Sequence, residues 1–292
     1  MSSPPKEIPL GAMRFNSDSH KLEYWNGEAW FQIHTDVSAP IAGRGIILGS
    51  GSNPRDEIQY FNLTTRGDAL DFGNLNAGRS SATSVSSATR GFCCGGYYAP
   101  AEQNEIQEIV IATQGDAIDF GDLTHAMARG NRGQVGSQTR GIVFGRQGYY
   151  DVIQYITMAQ KGNAIDFGNL TYSQENAGGC GSPTRGIVWG GEKQPSPHYI
   201  NNIEYITIAT TGNAVDFGDD LSPSGSGYLG SNSQSSPIRA FFTTGYQPSP
   251  GTSTKMIRQF NIASGGTAID WGDASTVISG LSGLSNAHGG LG

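Results

Sequence analysis

Three kinds of apolar run recur along the chain in a fixed order, and they predict short β-strands. The most regular is led by isoleucine: Ile58-Gln-Tyr-Phe-Asn-Leu63, Ile106-Gln-Glu-Ile-Val-Ile111, Ile153-Gln-Tyr-Ile-Thr-Met158, Ile203-Glu-Tyr-Ile-Thr-Ile208 and Ile257-Arg-Gln-Phe-Asn-Ile262. Alternate side chains of a strand point to opposite faces. The first and third positions therefore share one face, and the fourth and sixth share the other. Both faces carry apolar or aromatic groups in most copies, so a strand covered on two sides is expected. Ahead of each run stands another opened by arginine or Arg-Gly: Arg44 to Gly49, Arg90 to Gly95, Arg140 to Gly145, Arg185 to Gly190 and Arg239 to Thr244. After each comes a small-apolar pair and then Asp-Phe-Gly at Asp71, Asp119, Asp166 and Asp216, or Asp-Trp-Gly at Asp270. These aspartates are 48, 47, 50 and 54 residues apart, a period that marks a repeat architecture. A weaker fourth strand is expected before each arginine, as in Ala177-Gly-Gly-Cys-Gly-Ser182.

The first 37 residues do not share this pattern. Ala12 to Asn16, Leu22 to Trp25 and Ala29 to Ile33 read as three short strands, with the hairpin signal Asn26-Gly27 between the last two. Phe15, Tyr24, Trp25, Trp30 and Phe31 supply more apolar area than three strands can bury by themselves. A cover is expected from the repeats, another copy or a larger assembly. The expected organisation is a β-rich attachment segment over 1–37 and a repeat domain over 38–292.

Composition agrees with many strands joined by turns. The chain holds 43 glycines in 292 residues, and only 15% of its residues are charged, against roughly 25% in average globular chains. A hydrophobic share of 36% argues against wholesale disorder. Net charge is −7 with no basic stripe to neutralise phosphates, which argues against a nucleic-acid partner. No apolar run approaches the roughly 20 residues that span a bilayer, so no membrane insertion is expected. Met1 to Pro9 lacks the basic and apolar parts of a secretory signal. Cys93, Cys94 and Cys180 are odd in number and form no disulfide framework, which fits synthesis in a reducing cytoplasm.

Candidate chemistry is sparse. Asp-Phe-Gly binds magnesium in kinases, but here it recurs without the phosphate loop, strand lysine and His-Arg-Asp loop that this role needs. Its reading is a strand end with a buried aromatic. The five aspartates match the five arginines in number. A repeated ion pair or backbone cap is favoured over a ring of arginines holding an anion in a central channel. Asn74, Asp122, Asn169, Asp219 and Asp273, each three residues after an aspartate, lack a calcium loop's full ligand set and read as turn caps. The five histidines share no metal spacing, and no nucleophile motif occurs. No catalytic residue, metal site or cofactor is therefore expected, and the chain reads as a non-enzyme. The best binding surface is in four irregular stretches ahead of the isoleucine runs, with Tyr97, Tyr98, Tyr149, Tyr150, Tyr199 and Tyr246 on one side of the repeat domain.

The order of the runs, with the glycine pairs Gly95-Gly96 and Gly190-Gly191, an aromatic-rich strand and a bulky aromatic in the next strand, resembles kelch repeats. The resemblance covers about residues 38 to 292 and implies a fold that is all-β: a five-bladed kelch-like β-propeller with a short N-terminal hairpin or meander. Three copies lack the full glycine pair, and four carry Phe where such repeats use Trp. Leu284 to Gly289 looks like the weak strand without its arginine run, so it is expected to complete the first blade and close the ring. The stretch Gly11 to Trp30 is similar to a short module of virion structural proteins of tailed phages, especially fibre and baseplate components of phages of marine cyanobacteria. That resemblance implies a chain made in a host cytoplasm and located in the virion, as a tail-fibre, baseplate or capsid-decoration component. Phe15, Tyr24, Trp25, Trp30 and Phe31 would attach it to other virion proteins, in several copies or as a homo-oligomer. The tyrosine loops would contact a host-surface glycan or receptor. The alternative is a carbohydrate-binding, lectin-like propeller of cellular origin, and a propeller hydrolase is a third class.

Overall fold

The structure, a computed structural model, describes residues 8–16, 21–32, 43–48, 55–63, 65–130, 133, 135–195, 199–221, 232–247 and 252–276. The chain is all-β among these residues and falls into two compact units. One holds residues 1–43 with 62–66, and the other 44–61 with 67–292.

The first unit contains one antiparallel sheet in the order β1 (Met13–Asn16), β2 (Lys21–Trp25), β3 (Trp30–Gln32). The Asn-Gly signal marks a four-residue loop rather than a two-residue turn, because Trp25 pairs with Trp30. Asn26 explains the loop's shape. Its Oδ1 accepts from the amides of Glu28 (2.9 Å) and Ala29 (2.7 Å), and Gly27 takes φ +103°, which a side chain would resist.

The second unit contains five successive antiparallel sheets, one per repeat. The first is β4 (Arg44–Leu48), β5 (Arg55–Asn62) and β6 (Leu70–Arg79). The second has β7 (Thr83–Ser86), β8 (Arg90–Cys94), β11 (Glu105–Val110) and β12 (Ile118–Asp122), interrupted by the small hairpin β9 (Tyr97–Tyr98) and β10 (Ala101–Glu102). The third has β13 (Val135–Gly136), β14 (Arg140–Phe144), β15 (Tyr150–Thr157) and β16 (Ile165–Glu175). The fourth has β17 (Gly178–Gly181), β18 (Arg185–Trp189), β20 (Asn202–Thr207) and β21 (Val215–Asp219), while β19 (Glu192–Lys193) leaves it to pair with the end of β16. The fifth has β22 (Asn232–Ser235), β23 (Arg239–Gln247), β24 (Thr252–Asn261) and β25 (Ile269–Asp273). The weak strand is therefore present in sheets two to five. Leu284 to Gly289, expected to supply it to the first sheet, lies outside the described residues.

Each Asp-Phe-Gly is a β-bulge. In the second sheet Ile106 pairs with Gly121 and Gln107 with Asp119, leaving Phe120 as the extra residue. The same shift occurs at Gly73, Gly168, Gly218 and Gly272, and all five glycines have φ between +144° and +150°. In the last two copies the aspartate caps its own bulge: Asp216 Oδ1 accepts from the Gly218 amide (3.2 Å) and Asp270 Oδ1 from the Gly272 amide (3.0 Å).

The bulge also joins neighbouring sheets. The carbonyl of Phe72 accepts from Gly115 N (2.8 Å), and that of Asn74 accepts from Ala117 N (2.8 Å). The Asn74 amide in turn donates to Asp116 Oδ1 (2.9 Å). The backbone pair recurs from Phe120 and Asp122 to Gly162 and Ala164, from Phe167 and Asn169 to Gly212 and Ala214, and from Phe217 and Asp219 to Gly266 and Ala268. Each sheet is thus clasped to its successor. Four apolar clusters fill the junctions in the same order: Ile58, Phe72 and Ile109 at the first, Phe92, Phe120 and Ile156 at the second, Ile142, Phe167 and Ile206 at the third, Trp189, Phe242 and Phe260 at the fourth. This explains the two-sided strands: Cys93 faces the first sheet while its neighbours Phe92 and Cys94 face the third.

Among the described residues no fifth clasp is formed. Trp271, whose counterparts Phe72, Phe120 and Phe167 are buried, is 52% exposed, and a Cβ on Gly272 would meet nothing within 4 Å.

Candidate functional site

The arginines and the tyrosines lie at opposite ends of the same strands. At the start of the first four arginine strands the guanidinium reaches a backbone carbonyl of the next sheet. Arg44 donates to Ile111 O (2.9 Å), Arg90 to Met158 O (3.0 Å), Arg140 to Ile208 O (2.8 Å) and Arg185 to Ile262 O (2.8 Å). Arg44, Arg140 and Arg185 also stack over Tyr60, Tyr155 and Tyr205. These carbonyl bonds are those of a backbone cap between sheets, and Arg90 also pairs with Glu108 (3.2 Å). The arginines do not pair with the five aspartates, and Lys161 takes Asp119 instead (3.5 Å). A cavity of about 480 Å³ beside Arg140, walled by Ser137, Thr139, Pro183 and Ile208, belongs to this end. Replacing Arg140 by methionine is expected to cost about 1–2 kcal/mol, the worth of a charge-assisted bond to a half-buried carbonyl. Urea denaturation checks it.

At the other end the chain builds a polar and aromatic strip from loops of three successive repeats. It starts after β14, where Gly145 (φ +63°) turns the chain and Arg146 stands in place of a second glycine. The Arg146 guanidinium donates to Ala126 O (2.9 Å), lies 3.8 Å over the Tyr150 ring and approaches the Glu102 carboxylate at 4.0 Å. Glu175 is buried beside it. One oxygen accepts from the Gly148 amide (3.0 Å), and the other faces the Arg129 guanidinium at 3.7 Å. Tyr149, held at φ +63°, donates its hydroxyl to Glu192 Oε1 (3.3 Å). Lys193 lies 4.0 Å over the Tyr172 ring. Desolvation raises the pKa of Glu102. Arg146 opposes that, Glu175 adds to it, and Arg129 opposes it more weakly. Arg129 and Asn176 both have left-handed backbones, at φ +53° and +57°, and the Asn176 amide donates to Arg129 O (3.1 Å). A non-glycine residue in this region holds local strain, which is common where a loop must present a side chain.

The tyrosines expected to bind are distributed along this strip. Tyr149 and Tyr150 share it with Glu192, and the bridge between Glu192 and Tyr199 brings in the half-buried Tyr199. Tyr97 and Tyr98 are exposed on the β9–β10 hairpin, whose last residue is Glu102. The stretches are less irregular than their composition suggests. Tyr150 opens β15 and Tyr246 lies within β23, paired with Ser253; the Tyr246 side chain is outside the described residues. Arg129, Arg146, Glu102, Glu175 and Glu192 are not among the site residues expected from the sequence, although Glu102 and Glu192 fall within the irregular stretches. Of the others, only Arg146 carried a signal, as a departure from the glycine pair.

The N-terminal aromatics divide between two faces. Phe15, Tyr24 and Phe31 are exposed on one. Trp25 and Trp30 pack together on the other (5.6 Å), where Arg14 covers Trp30 at 4.2 Å and donates to Glu23 at 2.9 Å.

Among the described residues no group of three or more His, Cys, Asp or Glu side chains is placed to hold a metal ion. No protein-family model matches the chain, and no curated protein matches it at a significant level.

Proposed function

We propose that the five sheets close into a five-bladed kelch-like β-propeller, and that the chain is a non-enzymatic virion structural protein of a tailed phage. The N-terminal unit fixes it to the particle, and the tyrosine strip contacts a host-surface glycan. The observation that carries the binding part is the strip itself. Tyr149, Tyr150 and Tyr172 offer flat apolar rings, while Arg146, Arg129, Glu102 and Glu192 set donors and acceptors beside them. Rings flanked by charged planar groups suit sugar faces and their hydroxyls. The placement on a particle rests on the phage-module resemblance of Gly11 to Trp30.

The closed ring has its own support. The first sheet keeps Gly67-Asp68-Ala69, the counterpart of Gly115-Asp116-Ala117, and the fifth keeps Asp270-Trp271-Gly272-Asp273. Both halves of a fifth clasp are therefore encoded.

Two measurements test the function. Mass spectrometry of purified particles should find this chain, and a glycan array should give a hit that Tyr150→Ala weakens at least about tenfold, the loss of one stacked ring. The melting temperature should stay unchanged. Glycan binding by a chain absent from particles would favour the lectin-like reading. A particle protein with no glycan hit would leave the strip to a protein receptor.

A further inference from the structure

The N-terminal sheet presents an apolar face to solvent, and its charged side chains lie on the other face. Residues directly opposite in an antiparallel pair lie on one face. Leu22 and Tyr24 of β2 face Phe15 and Met13 of β1, and Tyr24 also faces Phe31 of β3. These five side chains are 40%, 40%, 64%, 60% and 49% exposed, with Tyr24 and Phe31 in ring contact at 5.9 Å. The opposite face holds Arg14, Asn16, Glu23, Trp25 and Trp30, and Glu23 there is 4% exposed, bonded to both Arg14 and Asn16.

We propose that this face pairs with the same face of a second copy of the chain. The inference deepens the attachment role and rests on reading the N-terminal unit as the module that joins this protein to others. Two properties of the face favour a second copy. Among the described residues it carries no charge, so a two-fold pairing sets no like charges against each other, and it offers no ionic pattern by which a different partner would be selected. Its size also fits. At about 200 Å² per large side chain, roughly half exposed, the five groups present about 500 Å² per copy. A two-fold pair then buries about 1,000 Å², the size at which specific interfaces begin. Two sheets stacked about 10 Å apart would interdigitate the five side chains as a small sandwich core.

Sedimentation equilibrium on the full chain, over roughly 1–200 µM, tests it, since an interface of this size is weak. The wild type should show a monomer–dimer equilibrium. Phe15→Lys should weaken it at least tenfold, because it sets like charges in the pair, while the melting temperature holds because position 15 is exposed. Phe15→Glu should do the same, and mixing the two variants should restore pairing. Glu23→Gln, on the opposite face, should leave association intact. A wild type that stays monomeric, or a dimer indifferent to Phe15→Lys, overturns the proposal. The outcomes stay separate from those of the function. A dimer absent from particles refutes the virion reading and leaves the pairing, and a particle-bound monomer does the reverse.

Discussion

Gly168→Ala is expected to destabilise the protein by about 4 kcal/mol, combining backbone strain with overpacking. Gly168 sits at the bulge of the third sheet with φ +145°, and an added Cβ would run into the carbonyl of Gly212 in the fourth sheet. The obstacle is backbone, so no rotamer change relieves it. The clasp bonds from Phe167 O to Gly212 N (2.7 Å) and from Asn169 O to Ala214 N (2.8 Å) would have to lengthen. Thermal and urea denaturation should show a midpoint lowered by about 10 °C and an unchanged urea dependence. Gly272→Ala is the informative companion. Its φ of +144° matches, so the backbone strain is the same, but nothing stands within 4 Å of its Cβ position. If the fifth sheet clasps the first, Gly272→Ala costs as much as Gly168→Ala. If it does not, only the strain remains, about 1–2 kcal/mol. A loss below about 1 kcal/mol for Gly168→Ala itself would refute the clasp.

The architecture was legible wherever it is written in periodicity. The five-fold spacing of Asp71 to Asp270 and the two-sided isoleucine strands each correspond to a sheet or a junction cluster. Features that depend on pairing register or on backbone atoms were not. The bulge at Phe120 exists only relative to β11, and no residue type announces it. Counting charges matched arginines to aspartates, whereas Arg140 in fact reaches the Ile208 carbonyl, and carbonyls are present at every position. The strip was half visible. Tyrosines among prolines and glycines marked the stretches, but the Tyr149–Glu192 bond spans 43 residues and the Arg129–Glu175 pair joins the β12–β13 connection to the end of β16. At the N-terminus the aromatics were visible but their division was not, since the β2–β3 register decides that Phe31 joins Tyr24 while Trp30 joins Trp25.

A chain carrying Asp68→Cys and Asp273→Cys is expected to form an intramolecular disulfide on mild oxidation and to gain up to about 5 kcal/mol, because the bond closes a loop of about 200 residues. The positions come from three of the four clasps seen. Asn74 N meets Asp116 Oδ1 at 2.9 Å, and Asp122 and Asn169 meet Asn163 and Asn213 at 3.0 Å. Asp273 and Asp68 are the unmatched members of that series. The native thiols will not compete near pH 8. All three are buried, and burial pushes Cys93 up to about 11 and Cys180 to about 12, with Cys94 raised further. Their protonated forms also set the sign of any alkaline effect. Folded pKa values above the usual 9 leave stability intact below pH 9, and it falls as pH rises through the folded values. Asn74→Cys with Asp116→Cys, across a clasp that is present, is the positive control for geometry. Non-reducing mass analysis separates the outcomes. A monomer with one new disulfide and a raised melting temperature supports ring closure. Disulfide-linked multimers mean that the fifth sheet clasps the first sheet of the next copy, since two different faces that fail to close within one chain can join chains head to tail. If the control pair oxidises while 68 and 273 stay reduced, the five sheets form an open row, and the propeller reading falls with it.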